Sequence, residues 1–167
     1  MLTLADGRTK FVILTTEPAD PGAPTTTELN AGIEAHDWVN KPDFRFSPAA
    51  SDTVPDQPLS QTGNATTFGN GNFDWSMTVL RDLDEDGVSE SGGDELWAAV
   101  NTKGSRVWGY LRKGPLEATA WADGDDVLWC EGITDDPQEP QDMAGYIKHT
   151  VPMGPQSWGR ATVAAGA

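Results

Sequence analysis

Asp82, Asp84 and Asp86 stand at alternate positions and are followed by Gly87, the spacing in this chain best suited to holding a cation. Alternate oxygens before a glycine match the first half of an EF-hand loop, where they converge on Ca²⁺. Glu90 falls at the ninth position, but Gly93 stands at the twelfth, where such a loop needs a bidentate acid. Asp94 and Glu95 come too late, and the segment joins an expected strand to an expected helix. A truncated Ca²⁺ loop and a solvated turn with Asp86 and Gly87 at its tip are the two readings. The missing acid favours the turn, so the chain is expected to fold without Ca²⁺.

Other chemistry finds less material. His36 and His149 lie far apart, and neither sits in a motif that pairs it with Ser, Cys or a metal. Structural roles are expected for both. Paired carboxylates abound in so acidic a chain, so no single pair marks an acid–base site. There is no phosphate-binding GxxxxGK[ST] loop, and the glycines from Gly63 to Gly71 form no dinucleotide fingerprint. Cys130 is the only cysteine, which excludes an intrachain disulfide and reads as a small core residue in a strand. No catalytic residue, cofactor or metal ligand is assigned, and a non-enzymatic protein is expected.

The elements that would position any site come from 167 residues, enough for a single domain over 1–167. Hydrophobic residues make up 37%, with 18 Gly, 12 Pro and 7 Trp, which suggests a loop-rich fold with bulky residues for its core. A modest apolar content also leaves surface for partner subunits to cover. The net charge is −15, which argues against tight binding of nucleic acid through its phosphates. Self-repulsion would keep the free subunit soluble and oppose its assembly at low salt. Residues 82–95 carry seven acids and no base, and 117–142 carry nine acids and no base. Between them, Lys103, Arg106, Arg112 and Lys113 form a basic strip without an acid, available for pairing between subunits. The first residues lack the charged-then-apolar order of a signal peptide, and no run is long enough for a membrane span. Synthesis in a cytoplasm, with no membrane partner, is expected.

Lys10 to Thr16 reads as a buried strand, and Thr25 with Glu28 has capping-box spacing for a short helix closed by Gly32. Ile33 to Val39 suggests a second strand. Residues 40–72 form a long stretch without a period, rich in Pro and Gly. It is the candidate arm for docking on a neighbour, with Phe44, Arg45, Phe46, Pro55 and Pro58 as its marked residues. Asn72 to Leu80 alternates clearly, with Phe73, Trp75, Met77 and Val79 on one face. Asp94 to Val100 reads as a helix with Leu96, Trp97 and Val100 in one buried stripe. Arg106–Arg112, Glu117–Ala122, Val127–Ile133 and Ala144–Val151 are further strand candidates, and 162–167 is expected to be a loose tail. The expected class is mainly β: an antiparallel β-sandwich or barrel with one flanking helix and a long loop.

Several phrases resemble the major tail tube proteins of long-tailed bacteriophages, those of actinobacterial hosts in particular. They are Phe11–Thr16 followed by Pro24 to Ile33; Trp75 to Asp82, an acidic turn, helix 94–101 and Lys103 to Arg112; and Tyr146 to Pro152 ahead of Trp158. The resemblance implies a β-sandwich whose copies close six to a ring, with inner strands joined into one barrel and rings stacked along a virion tail. It implies a long loop that contacts the adjacent ring, an electronegative lumen, and a passive conduit for DNA ejection. Its partners would be further copies of itself and the tape measure, terminator and baseplate proteins, with genomic DNA passing unbound. Glu117 and Glu131, on expected strands, and Asp123, Asp125 and Asp126, near a hairpin tip, are the candidate lumen carboxylates. The competing classes are a Ca²⁺-dependent β-sandwich binding module and a capsid decoration or tail-completion protein.

Overall fold

Phe73, Trp75, Met77 and Val79 are all buried along one nine-residue strand, β6 (Asn72–Leu80), and they form the centre of the main core. In a computed structural model that describes residues 2–63, 65–90 and 93–166, β6 belongs to a seven-stranded antiparallel sheet. The other strands are β1 (Thr9–Leu14), β2 (Ile33–Glu34), β3 (Arg45–Ala49), β7 (Arg106–Lys113), β8 (Asp126–Thr134) and β9 (Lys148–Thr162), ordered β2-β1-β7-β8-β9-β6-β3. β4 (Thr53–Val54) and β5 (Thr67–Phe68) form a separate two-stranded ribbon.

The sheet folds over on itself. β9 pairs with β6 through residues 148–152 and with β8 through 153–162, so one strand serves both halves. Phe11 of β1 thereby meets Phe46 of β3 at 5.1 Å and Trp75 edge-on at 6.2 Å between ring centroids. Gly109 and Gly132 sit under these rings. A side-chain carbon at Gly132 would fall 2.7 Å from the Trp75 ring, so only glycine lets the halves approach this closely. Strand alternation gives the other face a second core. Val12, Leu14, Trp108, Tyr110, Val127 and Ala161 pack there beneath Leu29, Trp121 and Val163. Leu29 comes from helix α1 (Thr26–Asn30), whose capping box closes as its spacing suggests. Thr25 accepts from the Glu28 amide, and Glu28 accepts from the Thr25 amide at 2.8 Å. A second helix, α2 (Glu95–Val100), buries Leu96 and Val100 and leaves Trp97 half-buried against the main core.

Four expectations are corrected. Only Ile33 and Glu34 of the stretch 33–39 are extended; Ala35–Asp37 turn as a 3-10 helix, which buries Ala35 completely. Glu117–Ala122 is not a strand, because the carbonyls of Leu116, Thr119 and Ala120 curl inward to accept hydrogen bonds from Arg112. The last strand begins at Lys148 instead of Ala144 and continues to Thr162. The segment after it is seated, not loose: Val163 is 1% exposed, and Ala164 exchanges backbone hydrogen bonds with Pro24 and Thr26. Ala167 lies outside the described residues.

Candidate assembly surfaces

The stretch 40–72 divides into two parts with different roles. Phe46 is 5% exposed and Phe44 packs beside it, both against Phe11, so the start of the proposed arm belongs to the subunit's own core. Arg45, between them, points outward and pairs with Asp74 at 3.1 Å. This corrects the placing of Phe44, Arg45 and Phe46 on the arm: β3 is held by five residue pairs to β6, and its apolar side faces inward. What projects is 50–71, of which Asn64 lies outside the described residues. Pro55 and Pro58 lie in this projecting part, together with exposed Val54, Leu59 and Phe68. The base of the arm is pinned, since Gly69 donates to the Asp52 carbonyl and Asp52 donates to Asn70.

The sheet ends in two strands, β2 and β3, that each have a single neighbour. Between β3 on one side and β1 with the 3-10 turn on the other opens a groove of about 670 Å³, with Phe11, Phe44 and Leu111 in its floor and Lys41, Arg45 and Lys113 at its rim. A second apolar group, Met143, Tyr146 and Ile147, is exposed on the segment before β9. Sequence reasoning missed that group, because no alternation marks it.

The candidate lumen carboxylates separate by their partners. Arg112 donates to Asp125 at 2.7 Å, and both side chains are largely buried. Glu131 is paired with Arg106 and accepts from Ser157 at 3.0 Å. Glu117 is half-buried against Gly7, with Oε2 inaccessible and without a hydrogen-bond partner among the described residues. Asp123 and Asp126 are exposed and form no ion pair among the described residues. The five thus differ in how much negative charge each leaves free: among the described residues, Asp125 and Glu131 are paired with arginines, while Asp123, Asp126 and Glu117 are not.

The basic strip is engaged inside the subunit. The β7–β8 ladder sets Arg106 close to Glu131, Arg112 reaches Asp125, and Lys103 reaches Asp135 at 2.8 Å and Asp136 at 3.4 Å. Asp135 is held below the usual carboxylate range by its hydrogen bond from Lys103. The segregation of charge along the chain was itself the signal: a run of bases followed by a run of acids becomes a set of pairs once the two segments lie antiparallel.

The acidic turn makes its own hydrogen bonds. Asp84 Oδ1 accepts from the amides of Asp86 and Val88, at 2.9 and 2.8 Å. A side-chain carbon at Gly93 would collide with the Asp82 carboxylate, so this conformation has no room for an acid at the twelfth position. Ser91 and Gly92 lie outside the described residues. Asp94 caps no helix with its side chain and is instead gripped by Arg81 at 2.7 to 3.0 Å. Arg81 also lies over Trp97, and the other ring near Trp97 is His149, 4.5 Å away. Burial would raise the Asp94 carboxyl, but Arg81 and Ser89 outweigh it and hold the group below its ordinary range. Cys130 is fully buried, and that burial pushes its thiol up to about 12, the behaviour of an inert core residue.

Compared with curated proteins, the chain matches none. A family model described as phage tail tube protein, however, matches residues 1–167. An edge-open antiparallel β subunit with an exposed arm and a strongly negative net charge, the chain therefore belongs to the phage tail tube protein family, as a structural subunit of the virion tail and not an enzyme.

Proposed function

We propose that this chain is the major tail tube subunit of a long-tailed phage with an actinobacterial host, and that six copies close each ring of the tube. The phrases running from Phe11 to Trp158 support the host and tail type. The single observation that carries the assembly is the exposed arm, 50–71, with Val54, Leu59 and Phe68 uncovered, beside a sheet whose edge strands β2 and β3 lack outer partners among the described residues. Unpaired edges invite strand addition, and a closed ring removes them. The arm then docks on the adjacent ring, and the ends of the tube meet the terminator, tape measure and baseplate proteins.

Genomic DNA passes through without tight binding. Among the described residues, seven of the eleven bases are in ion pairs within the subunit, which leaves little positive charge to hold phosphates. Asp123 and Asp126 are the strongest lumen candidates, followed by Glu117. Asp125 and Glu131 would contribute less, because each is already neutralised by an arginine.

Negative-stain microscopy of the purified full-length protein tests the reading. Tubes built of stacked six-fold rings are expected, with growth favoured by salt that screens the net charge. Monodisperse monomers at high concentration and high salt would refute self-assembly, and rings of another order would refute the six-fold part alone.

A further inference from the structure

We propose that Glu34, His36 and Asp37 form a binding site for a divalent transition-metal cation of the zinc class. All three come from one short stretch where β2 turns into the 3-10 helix. The turn gathers donors two and three residues apart, and their ligating atoms lie within 4.8 Å of one another.

The orientation of the ring carries the argument. His36 is largely buried, and its Nδ1 lies 3.2 Å from the carbonyl oxygen of Phe11. A carbonyl can only accept, so Nδ1 carries the hydrogen and Nε2 of the neutral ring presents a lone pair. Nε2 faces the Asp37 carboxylate at 4.0 Å, with Glu34 alongside. The neutral ring and the two carboxylates thus present three acceptors within one ion's reach, a donor set that a cation can bridge. Lys10 supplies one only in part: its ammonium is held 2.8 Å from Oε1 of Glu34 and shared with the Thr119 carbonyl, which leaves Oε2.

The donor set selects the metal. One imidazole nitrogen with two carboxylates suits Zn²⁺, Co²⁺ or Ni²⁺, whereas Ca²⁺ and Mg²⁺ favour oxygen alone. The bond from Nδ1 to a backbone carbonyl is the outer support that fixes a metal-binding histidine in its ligating tautomer. Glu34 and Asp37 are each more than half exposed, so the remaining coordination positions open to solvent or to a donor from another molecule. The site stands at the free edge of β2 and owes nothing to the acidic turn at Asp82. His36 carries no metal motif in sequence. Its role emerges from the fold, because the Phe11 carbonyl that sets its tautomer lies on a different strand.

The test is a calorimetric titration of tag-free, full-length protein with ZnCl₂ at neutral pH, repeated with CoCl₂ by visible absorption. One equivalent is expected to bind, with Co²⁺ giving ligand-field bands. His36→Asn keeps a donor near the Phe11 carbonyl and removes Nε2; it should weaken binding at least tenfold. Asp37→Asn, at an exposed position that the fold does not need, should weaken it too, while His149→Asn should leave it unchanged. Should His36→Asn fail to fold, Asp37→Asn alone decides. No uptake of Zn²⁺ by the wild type, or equal uptake by the wild type and the His36 and Asp37 variants, overturns the proposal.

Discussion

Arg112 donates to Asp125 at 2.7 Å beside the second core, with its guanidinium 5.0 Å from the centre of the Trp121 ring and its two terminal nitrogens also donating to three carbonyls. This pair holds the loop 115–125 over the sheet and stands where a strand was expected. Removing one partner strands a buried charge. Asp125→Ala should therefore cost about 3 kcal/mol or more, measured by urea unfolding, while Asp126→Ala at the exposed neighbour should stay within about 0.5 kcal/mol. Equal effects at the two positions would show that the buried pair is not a support of the fold.

The arm should be separable from the fold. Asp52 and Asn70 already bond to one another, so replacing 53–68 with a short Asn-Gly turn keeps the base intact. The shortened chain should melt within a few degrees of the wild type and form no tubes by electron microscopy. A deletion reaching back to Phe44 should instead unfold the subunit, since it removes β3 and its aromatic contacts. Normal tubes from the shortened chain would remove the arm from assembly.

Acid should loosen the Arg81–Asp94 pair. The folded carboxyl is held below its ordinary range, so its contribution is fully present above the unfolded carboxylate value and is lost as pH falls through the folded one. At neutral pH, Asp94→Asn should cost about 3 kcal/mol. The difference from the wild type should shrink as melts are recorded at progressively lower pH. A gap that stays constant down to strongly acidic pH would contradict the assignment.

Truncation after Thr162 should be harmful. It removes Val163, which packs with Leu29 and Trp121, and the hydrogen bonds that Ala164 makes with Pro24 and Thr26. Loss of the buried valine alone removes about 2 kcal/mol of apolar burial, so a lowered urea midpoint is expected. An unchanged midpoint would show that the tail is dispensable.

Where one face was apolar and the other polar, the sequence announced its structure. β6 alternates from Asn72 to Val79 in sequence, and the capping box at Thr25 needs only its two residues. β9 was hidden because Pro152, Gly154, Pro155 and Gly159 break the pattern of a strand. They are tolerated because Pro152 lies where the strand changes partners, and Pro155 lies at the shift in register opposite Gly132. The role of Glu117–Ala122 was illegible for a different reason. Its backbone conformation is dictated by Arg112, and the chain gives no local sign of a distant guanidinium that takes up its carbonyls. The same holds for the candidate surfaces: acids could be counted in the sequence, but only the strand register shows which of them a base already neutralises.

The shared strand β9 has a mechanical consequence. Two stacked layers joined only by side chains can be prised apart as a hinge opens, one contact at a time. Here the layers are lengths of one ribbon, and any load that would part them runs along a continuous main chain. To open the core, a backbone ladder must be broken as well as the side-chain packing, whether the rungs to β6 or those to β8, because both are set on the same rail.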